Sequence, residues 1–482
     1  MEELSSYDKD SVESIIAHAN RLTGNTLREV AEVDIPELKK AGKGNLGILV
    51  ERLHFRHSPP NDHNPDFSEA GLELKSTGVR RDPGVPGGYK AKERLVLNLI
   101  NYHDLAKESW QTSSLLHKSG LLLLLFYLFE EKIDPLDRQF VLPPLLLENL
   151  SKFQSDFLQI KDDWHQIQQK VLEGKAHELS ESDTRLLGAC TKSSDSTKFT
   201  SQPFSKIPAK PRAFSLKQGY LTFLMTSQED GYVSIRQKQK VTRAPQRQML
   251  EEQEQISHIN QDANTEPLAA PSLANLVPIE TLVRDKFEPY LGLPESEIAE
   301  VLGFPSSIKK NKAYLRLLVN RVLVDGEGVP LELVKEGVQV KTVRLEANGK
   351  PREHMSFPHF NYKEVNSQEW ADSDFANQIE QKFLFVVFER QSADQFILTK
   401  IQFWSMPAID REEAERVWLA AKRAIDLGEY QNLPKSTGSK IAHVRPHARN
   451  RLDTLPTPQG GEEVKRCFWL HRNYIGKIVS PG

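Results

Sequence analysis

Apolar and polar residues alternate over Leu72-Glu73-Leu74-Lys75, with the leucines on one side and Glu73 and Lys75 on the other, which is the two-residue period of a strand. The preceding Asn64-Pro65-Asp66-Phe67-Ser68 has no such period and suits a turn. Together they predict a hairpin that returns Asp66 beside Glu73. Upstream, from Lys43, Leu46-Gly-Ile-Leu-Val-Glu51-Arg52-Leu53 reads as a helix with one acid, Glu51, in its apolar stripe. Downstream come a Gly/Pro loop over 82–88, segments over 90–102 and 110–118, and an unbroken apolar run over 121–129. That run is about half of what a membrane helix needs, so it predicts a buried strand. A helix around Trp164 ends near Gly174, and basic extended segments over 190–220 follow. Residues 1–25 are polar with one weak amphipathic turn and read as a lead-in.

The same order of elements returns after residue 271. Leu46-Gly-Ile-Leu-Val-Glu51-Arg52 is answered by Leu315-Arg-Leu-Leu-Val-Asn320-Arg321, and Gly71-Leu72-Glu73-Leu74-Lys75 by Gly337-Val338-Gln339-Val340-Lys341. Asn101-Tyr102 matches Asn361-Tyr362, and Trp110 matches Trp370. The pair Trp164 and Gly174 matches Trp418 and Gly428, and Arg212-Ala-Phe214 matches Arg466-Cys-Phe468. Collinear matches of this kind predict a tandem duplication. The domain expectation is a lead-in (1–25), a first domain (26–228), a Gln-rich polar linker (229–271) and a second domain (272–482), with α/β cores in both halves.

Composition narrows the function classes. The chain has 482 residues and a net charge of −3, so nucleic-acid binding must come from local basic patches. The only cysteines, Cys190 and Cys467, are too far apart in sequence for a metal knuckle, and they fit a reducing cytoplasm. The N-terminus has no signal-peptide pattern, and no membrane association is expected. Residues 206–247 hold nine Lys/Arg and two acids, and 430–452 hold five Lys/Arg and no acid. Such runs are often only solvated loops. Lying towards the ends of the two repeats, they are read here as DNA contacts, with Lys192, Arg212, Lys217, Arg445 and His447 as the candidate residues.

Glu-x-Lys occurs six times in the chain, so the tripeptide alone carries little; only the Glu73 copy has an Asp seven residues earlier and an apolar alternation around it. Two carboxylates and an ammonium on one polar strand face are what a hard cation such as Mg²⁺ and an attacking water need for phosphodiester hydrolysis. The bland alternative is a solvated face with an incidental ion pair. The repeat favours the chemistry. Glu51 is answered by Asn320, Glu73 by Gln339 and Asp66 by Glu332, so two of three acids became amides while the apolar frame was kept.

The Asp66-x₆-Glu73-Leu-Lys75 segment after Leu-Val-Glu51 resembles the active site of MutH-type endonucleases. Glu69-Ala-Gly-Leu-Glu-Leu-Lys75, Lys92-Glu-Arg-Leu-Val-Leu-Asn98 and Arg212-Ala-Phe-Ser-Leu-Lys217 are similar to the GATC-specific type II restriction enzymes of that family. The resemblance implies a restriction-endonuclease-like core with a mixed central sheet in each half and Mg²⁺-dependent double-strand cleavage at 5′-GATC-3′. It implies metal ligation by Asp66, Glu73 and the Leu74 carbonyl, with Glu51 at a second metal or the water. Lys75 would orient the nucleophile, Lys118 would be a further active-site lysine, and Lys192 would read bases, although Cys190-Thr191 stands where the family has Arg-Pro. It further implies a non-catalytic, DNA-binding effector role for the second half, a cognate DNA methyltransferase as system partner, and a monomer or a DNA-induced dimer. Two competing readings are a catalytically inactive GATC-binding regulator and a repair-type nicking enzyme.

Overall fold

The computed structural model describes residues 7–31, 46–57, 63–226 apart from 84, 131 and 193–197, and 278–480 apart from 312, 325–330 and 394. The expected linker lies outside the described residues. Among the described residues each half is mixed α/β and holds two small sheets and a two-stranded hairpin.

In the first half one sheet has the order β2-β1-β4-β5. It contains β1 (Leu72–Arg81), β2 (Tyr89–Ala91), β4 (Leu121–Leu128) and β5 (Phe140–Glu148). β1 runs parallel to β4, with Leu72 beside Leu121 and Glu73 beside Leu122, and β4 pairs antiparallel with β5. The second sheet has the order β3-β9-β6, from β3 (Leu95–Leu99), β6 (Leu187–Thr191) and β9 (Arg212–Leu216), all antiparallel neighbours. A hairpin of β7 (Thr200–Gln202) and β8 (Ser205–Ala209) projects between β6 and β9 in sequence.

The second half contains β10 (Gln339–Leu345), β11 (Met355–His359), β12 (Phe383–Ser392), β13 (Gln395–Trp404), β14 (Ala442–Pro446), β15 (Thr454–Pro456), β16 (Glu462–Val464) and β17 (Arg466–Leu470). Its sheets are ordered β10-β12-β13 and β11-β17-β14, with a β15-β16 hairpin. β10 is again parallel to β12, and β12 antiparallel to β13.

The apolar run over 121–129 is unbroken because β4 is covered on both faces. Leu122, Leu124 and Phe126 pack with Trp110 and Trp164. Leu123 and Leu125 pack with Leu46, Val50, Leu72 and Leu74. The expected helix is Gln154–Leu172, with Ile160, Trp164, Ile167 and Val171 buried at helical spacing. It stops at Gly174, whose φ is +72°, and a Cβ there would come within 2.6 Å of the Phe204 carbonyl oxygen.

One expectation fails. The residues read as a lead-in form the helix Val12–Asn20, and Ile15 and Ala19 are fully buried in the cluster behind Leu72 and Leu74. They belong to the core of the first half. Among the described residues no helix is long and apolar enough to cross a membrane.

Candidate active site

The hairpin before β1 forms. Phe67 and Leu72 exchange both backbone hydrogen bonds, at 2.9 and 3.1 Å, across a turn that Gly71 closes with a φ of +65°. Asp66 and Glu73 therefore face each other. The Asp66 N–H donates to Glu73 Oε2 at 3.1 Å, and the Leu74 N–H donates to Asp66 Oδ2 at 2.8 Å. Lys75 donates its ammonium to Glu73 Oε1. Glu73 has no exposed surface and Asp66 only 6%, so this is a buried polar cluster and not a solvated strand face.

Glu51 reaches the cluster from a different element. The helix begins at Leu46 but widens into a π-helical turn over Val50–His54, and Glu51 lies in that turn. Such widened turns are frequent at functional sites. Burial, then the neighbouring Asp66 carboxylate, pushes the Glu51 carboxyl up to about 7, against the pull of Lys75. Burial likewise raises the Glu73 carboxyl, again opposed by Lys75. Lys118 ends the short helix Ser114–Ser119; its ammonium lies 3.8 Å from Glu73 Oε1 and donates to the Asn64 carbonyl at 3.0 Å. The five residues expected at the chemistry thus meet at one end of β1, brought together from three separate elements.

Sequence reasoning missed His57. Its N–H donates to the Glu51 carbonyl at 2.9 Å, its ring Nε2 lies 2.5 Å from the Asp66 carbonyl, and the ring stacks on Phe67. It ties the Glu51 turn to the Asp66 turn. Nothing in its spacing announces this.

Among the described residues no group of three or more His, Cys, Asp or Glu is gathered tightly enough to hold a metal by side chains alone. A hard cation that keeps part of its water shell asks for less: one or two carboxylates and a carbonyl suffice for Mg²⁺. The donor chemistry here fits that demand. Asp66 and Glu73 are already in register, Leu74 contributes backbone at the same point, and the Asp66 carboxylate adds to the burial that raises the Glu51 and Glu73 carboxyls, a repulsion that a divalent cation relieves.

The corresponding place in the second half is different. The Gln339 amide donates to the Gln378 carbonyl at 2.8 Å and to Gln381 Oε1 at 2.9 Å, so it is occupied by protein partners. Asn320 lines an open cleft beside it, and Glu332 is exposed in a neighbouring helix.

The expected DNA contacts divide. Lys192 is exposed just beyond β6, with its ammonium 3.8 Å from Asp372 of the second half. Arg445 is exposed at the end of β14 with its guanidinium over the Trp469 ring at 5.6 Å, and exposed His447 sits edge-on to the same ring. Arg212 and Lys217 are corrected. Arg212 is 5% exposed, donates to the Ala189 carbonyl and lies 3.9 Å from Glu380. Lys217 is 7% exposed and donates to the Thr184 carbonyl. Both are interior cations that hold elements together, and neither presents its charge to a duplex.

Residues 55–163 match the family model described as the DNA mismatch repair enzyme MutH. The chain is 30% identical over 513 aligned residues to the type II restriction enzyme Sau3AI of Staphylococcus aureus, covering 96% of this chain and 97% of that enzyme. It is 26% identical over 222 residues to the DNA mismatch repair protein MutH of Shigella flexneri, covering 45% of this chain and 92% of that protein. A MutH of Actinobacillus pleuropneumoniae is 25% identical over 216 residues, covering 44% of this chain and 91% of that protein.

Proposed function

The chain belongs to the family of the type II restriction enzyme Sau3AI and the mismatch repair protein MutH, and on that premise we propose that it is a type II restriction endonuclease making double-strand cuts at 5′-GATC-3′. The observation that carries the reading is the buried Asp66–Glu73–Lys75 set with Glu51 and Lys118 against it.

Asp66, Glu73 and the Leu74 carbonyl would hold a divalent cation, Mg²⁺ in the cell, with Glu51 at its edge. When bound, the cation supplies Lewis-acid stabilisation of the charge that builds on the phosphate. The Lys75 ammonium, anchored by Glu73, orients the attacking water, whose proton passes to a neighbouring solvent water. Water attacks phosphorus in line, the bond to the 3′ oxygen breaks, and the products are a 5′ phosphate and a 3′ hydroxyl. Lys118, held by Asn64, stabilises the negative charge on the non-bridging oxygens.

The second half is proposed to be a duplicated copy that binds DNA without cutting and acts as an effector. Supporting this, Thr191 pairs with Arg212 in β6/β9 as Pro446 pairs with Arg466 in β14/β17, which is the register that the sequence repeat requires. The Tyr102 hydroxyl donates to the Lys210 carbonyl and the Tyr362 hydroxyl to the Val464 carbonyl, each at 2.6 Å. The Trp110–Trp164 and Trp370–Trp418 ring pairs are each 5.8 Å apart. Lys192, Arg445 and His447 would face the duplex. A cognate methyltransferase would protect the host's own sites, and DNA would draw two chains together.

Incubation with a plasmid carrying several GATC sites, in Mg²⁺ or in EDTA, tests this reading. Mg²⁺-dependent fragments ending at GATC, absent with Glu73→Ala, are expected. Specific binding without cutting would establish a regulator instead, and nicks on one strand only a repair-type enzyme.

A further inference from the structure

The second half keeps the lysine of the active-site word but has amides, Asn320 and Gln339, for Glu51 and Glu73. Lys341 stands on β10 beside Phe385 of β12, as Lys75 stands on β1 beside Leu124 of β4. Lys75 is bonded to Glu73. Lys341 has no such partner: Gln339 is neutral and engaged elsewhere, and among the described residues no carboxylate or carbonyl pairs with the Lys341 ammonium. Its neighbour is the Phe357 ring, 5.3 Å away.

Lys341 opens onto the wall of a cleft of about 1350 Å³, together with Lys309, Lys310, Arg316, Arg344 and Arg352. The acids on that wall are Glu295 and Glu353, and each is already matched, by Lys309 at 3.7 Å and Arg344 at 2.5 Å. The cleft therefore has surplus positive charge, and Lys341 lies within it as a half-buried cation with nothing to neutralise it.

The two halves must then treat a phosphodiester differently. At Glu51, Asp66 and Glu73 the wall is acidic, and a phosphate approaches it only when a cation stands between. Around Asn320 and Lys341 the cleft wall carries surplus positive charge, and a phosphate is attracted directly. We propose that the Lys341 cleft is a metal-independent phosphodiester site, in which Lys341 grips a backbone phosphate of a DNA duplex that the first half can seat productively only with a divalent cation. This rests on the reading of the second half as DNA-binding.

Burial holds the Lys341 ammonium down at about 8. The form that attracts phosphate is the protonated one, so it dominates well below pH 8, is half present near that value and is lost as the pH rises through it. Arginine at the same place would not titrate in this range.

The test uses the full chain with Glu73→Ala, which prevents cutting, and a GATC-containing duplex titrated in EDTA. Tight binding in EDTA is expected. Lys341→Gln should weaken it about tenfold and reduce the slope of log affinity against log salt by about one. Lys341→Arg should restore the affinity. Between pH 8 and 9.5 the parent's affinity should fall several-fold while that of the Arg variant stays level, a readout that a merely structural lysine would not give. Binding in EDTA that Lys341→Gln leaves within twofold, with an unchanged salt slope, overturns the proposal, as does binding by the parent that appears only with a divalent cation. If, in addition, Lys192→Ala alone removes all binding in EDTA, the DNA-binding reading of the second half fails with it.

Discussion

Lys118 and Lys217 each close a short sequence word, and the fold gives them opposite roles. Lys118 sits 3.8 Å from the buried Glu73 carboxylate, with its ammonium held by the Asn64 carbonyl at the place proposed for the phosphate. Lys118→Ala should lower the single-turnover cleavage rate by about 10²-fold while DNA affinity changes by less than threefold, measured by quench-flow and by equilibrium binding. Lys217 is enclosed near Asp163, and burial lowers its pKa while Asp163 opposes that shift. Lys217→Met should leave the salt dependence of DNA binding unchanged and cost about 3 kcal/mol of stability in urea unfolding. An unchanged urea midpoint with a shallower salt slope would return Lys217 to the DNA interface. The Asp66, Glu73 and Lys75 set was legible in the sequence because a tight turn and a two-residue period place all three within ten positions. Arg212 and Lys217 were misread because charge is written in the sequence and burial is not.

At the level of elements, unbroken apolar runs and paired tryptophans were enough to locate β4, β12 and the long helices. The helix Val12–Asn20 was missed although Val12, Ile15, Ile16 and Ala19 follow the helical period. The stretch is short, and its burial comes from residues over 46–55 and 136–140 that close on it only in the fold. The π-helical turn at Glu51 had no signature either. Strand β14 carries a further surprise in His443, which is fully buried with both ring nitrogens unpartnered among the described residues. Its ring packs against His354 and His471. Burial, then His354 and His471, with Arg445 adding to them, hold His443 at about 4. The unfolded chain takes up this proton near 6.5 and the folded chain resists it to about 4, so stability present at pH 7 is lost as the pH falls between those values. The melting temperature should therefore drop by several degrees between pH 7 and 5, on the order expected for 1–2 kcal/mol. His443→Phe should make that dependence shallower without removing it, because burial also holds His54 and His354 at about 4; an equally steep profile in the variant would assign it to those groups alone.

In the whole molecule the two halves are joined by charge buried between them. Glu380 of the second half lies 3.2 Å from Arg94 and 3.9 Å from Arg212 of the first, and Arg94 also pairs with Glu181 at 3.0 Å and donates to the Ala371 carbonyl at 2.6 Å. Arg411 donates back to the Glu178 and Leu179 carbonyls at 3.1 and 3.0 Å. The proposed repeat rests on matching words that stay collinear in the sequence. This seam was not legible there, because its residues stand more than 160 positions apart and no local pattern links them. The central proposal is a division of labour across it, in which one half would cut and the other, with amides at the places of Glu51 and Glu73, would only bind. Single-turnover cleavage of an end-labelled GATC duplex in Mg²⁺ by the full chain carrying either Glu73→Ala or Gln339→Ala tests that claim most directly. The account predicts no product from Glu73→Ala, and from Gln339→Ala the parent's products at a rate within about threefold. Product from Glu73→Ala, or a silent chemical step in Gln339→Ala, would contradict it.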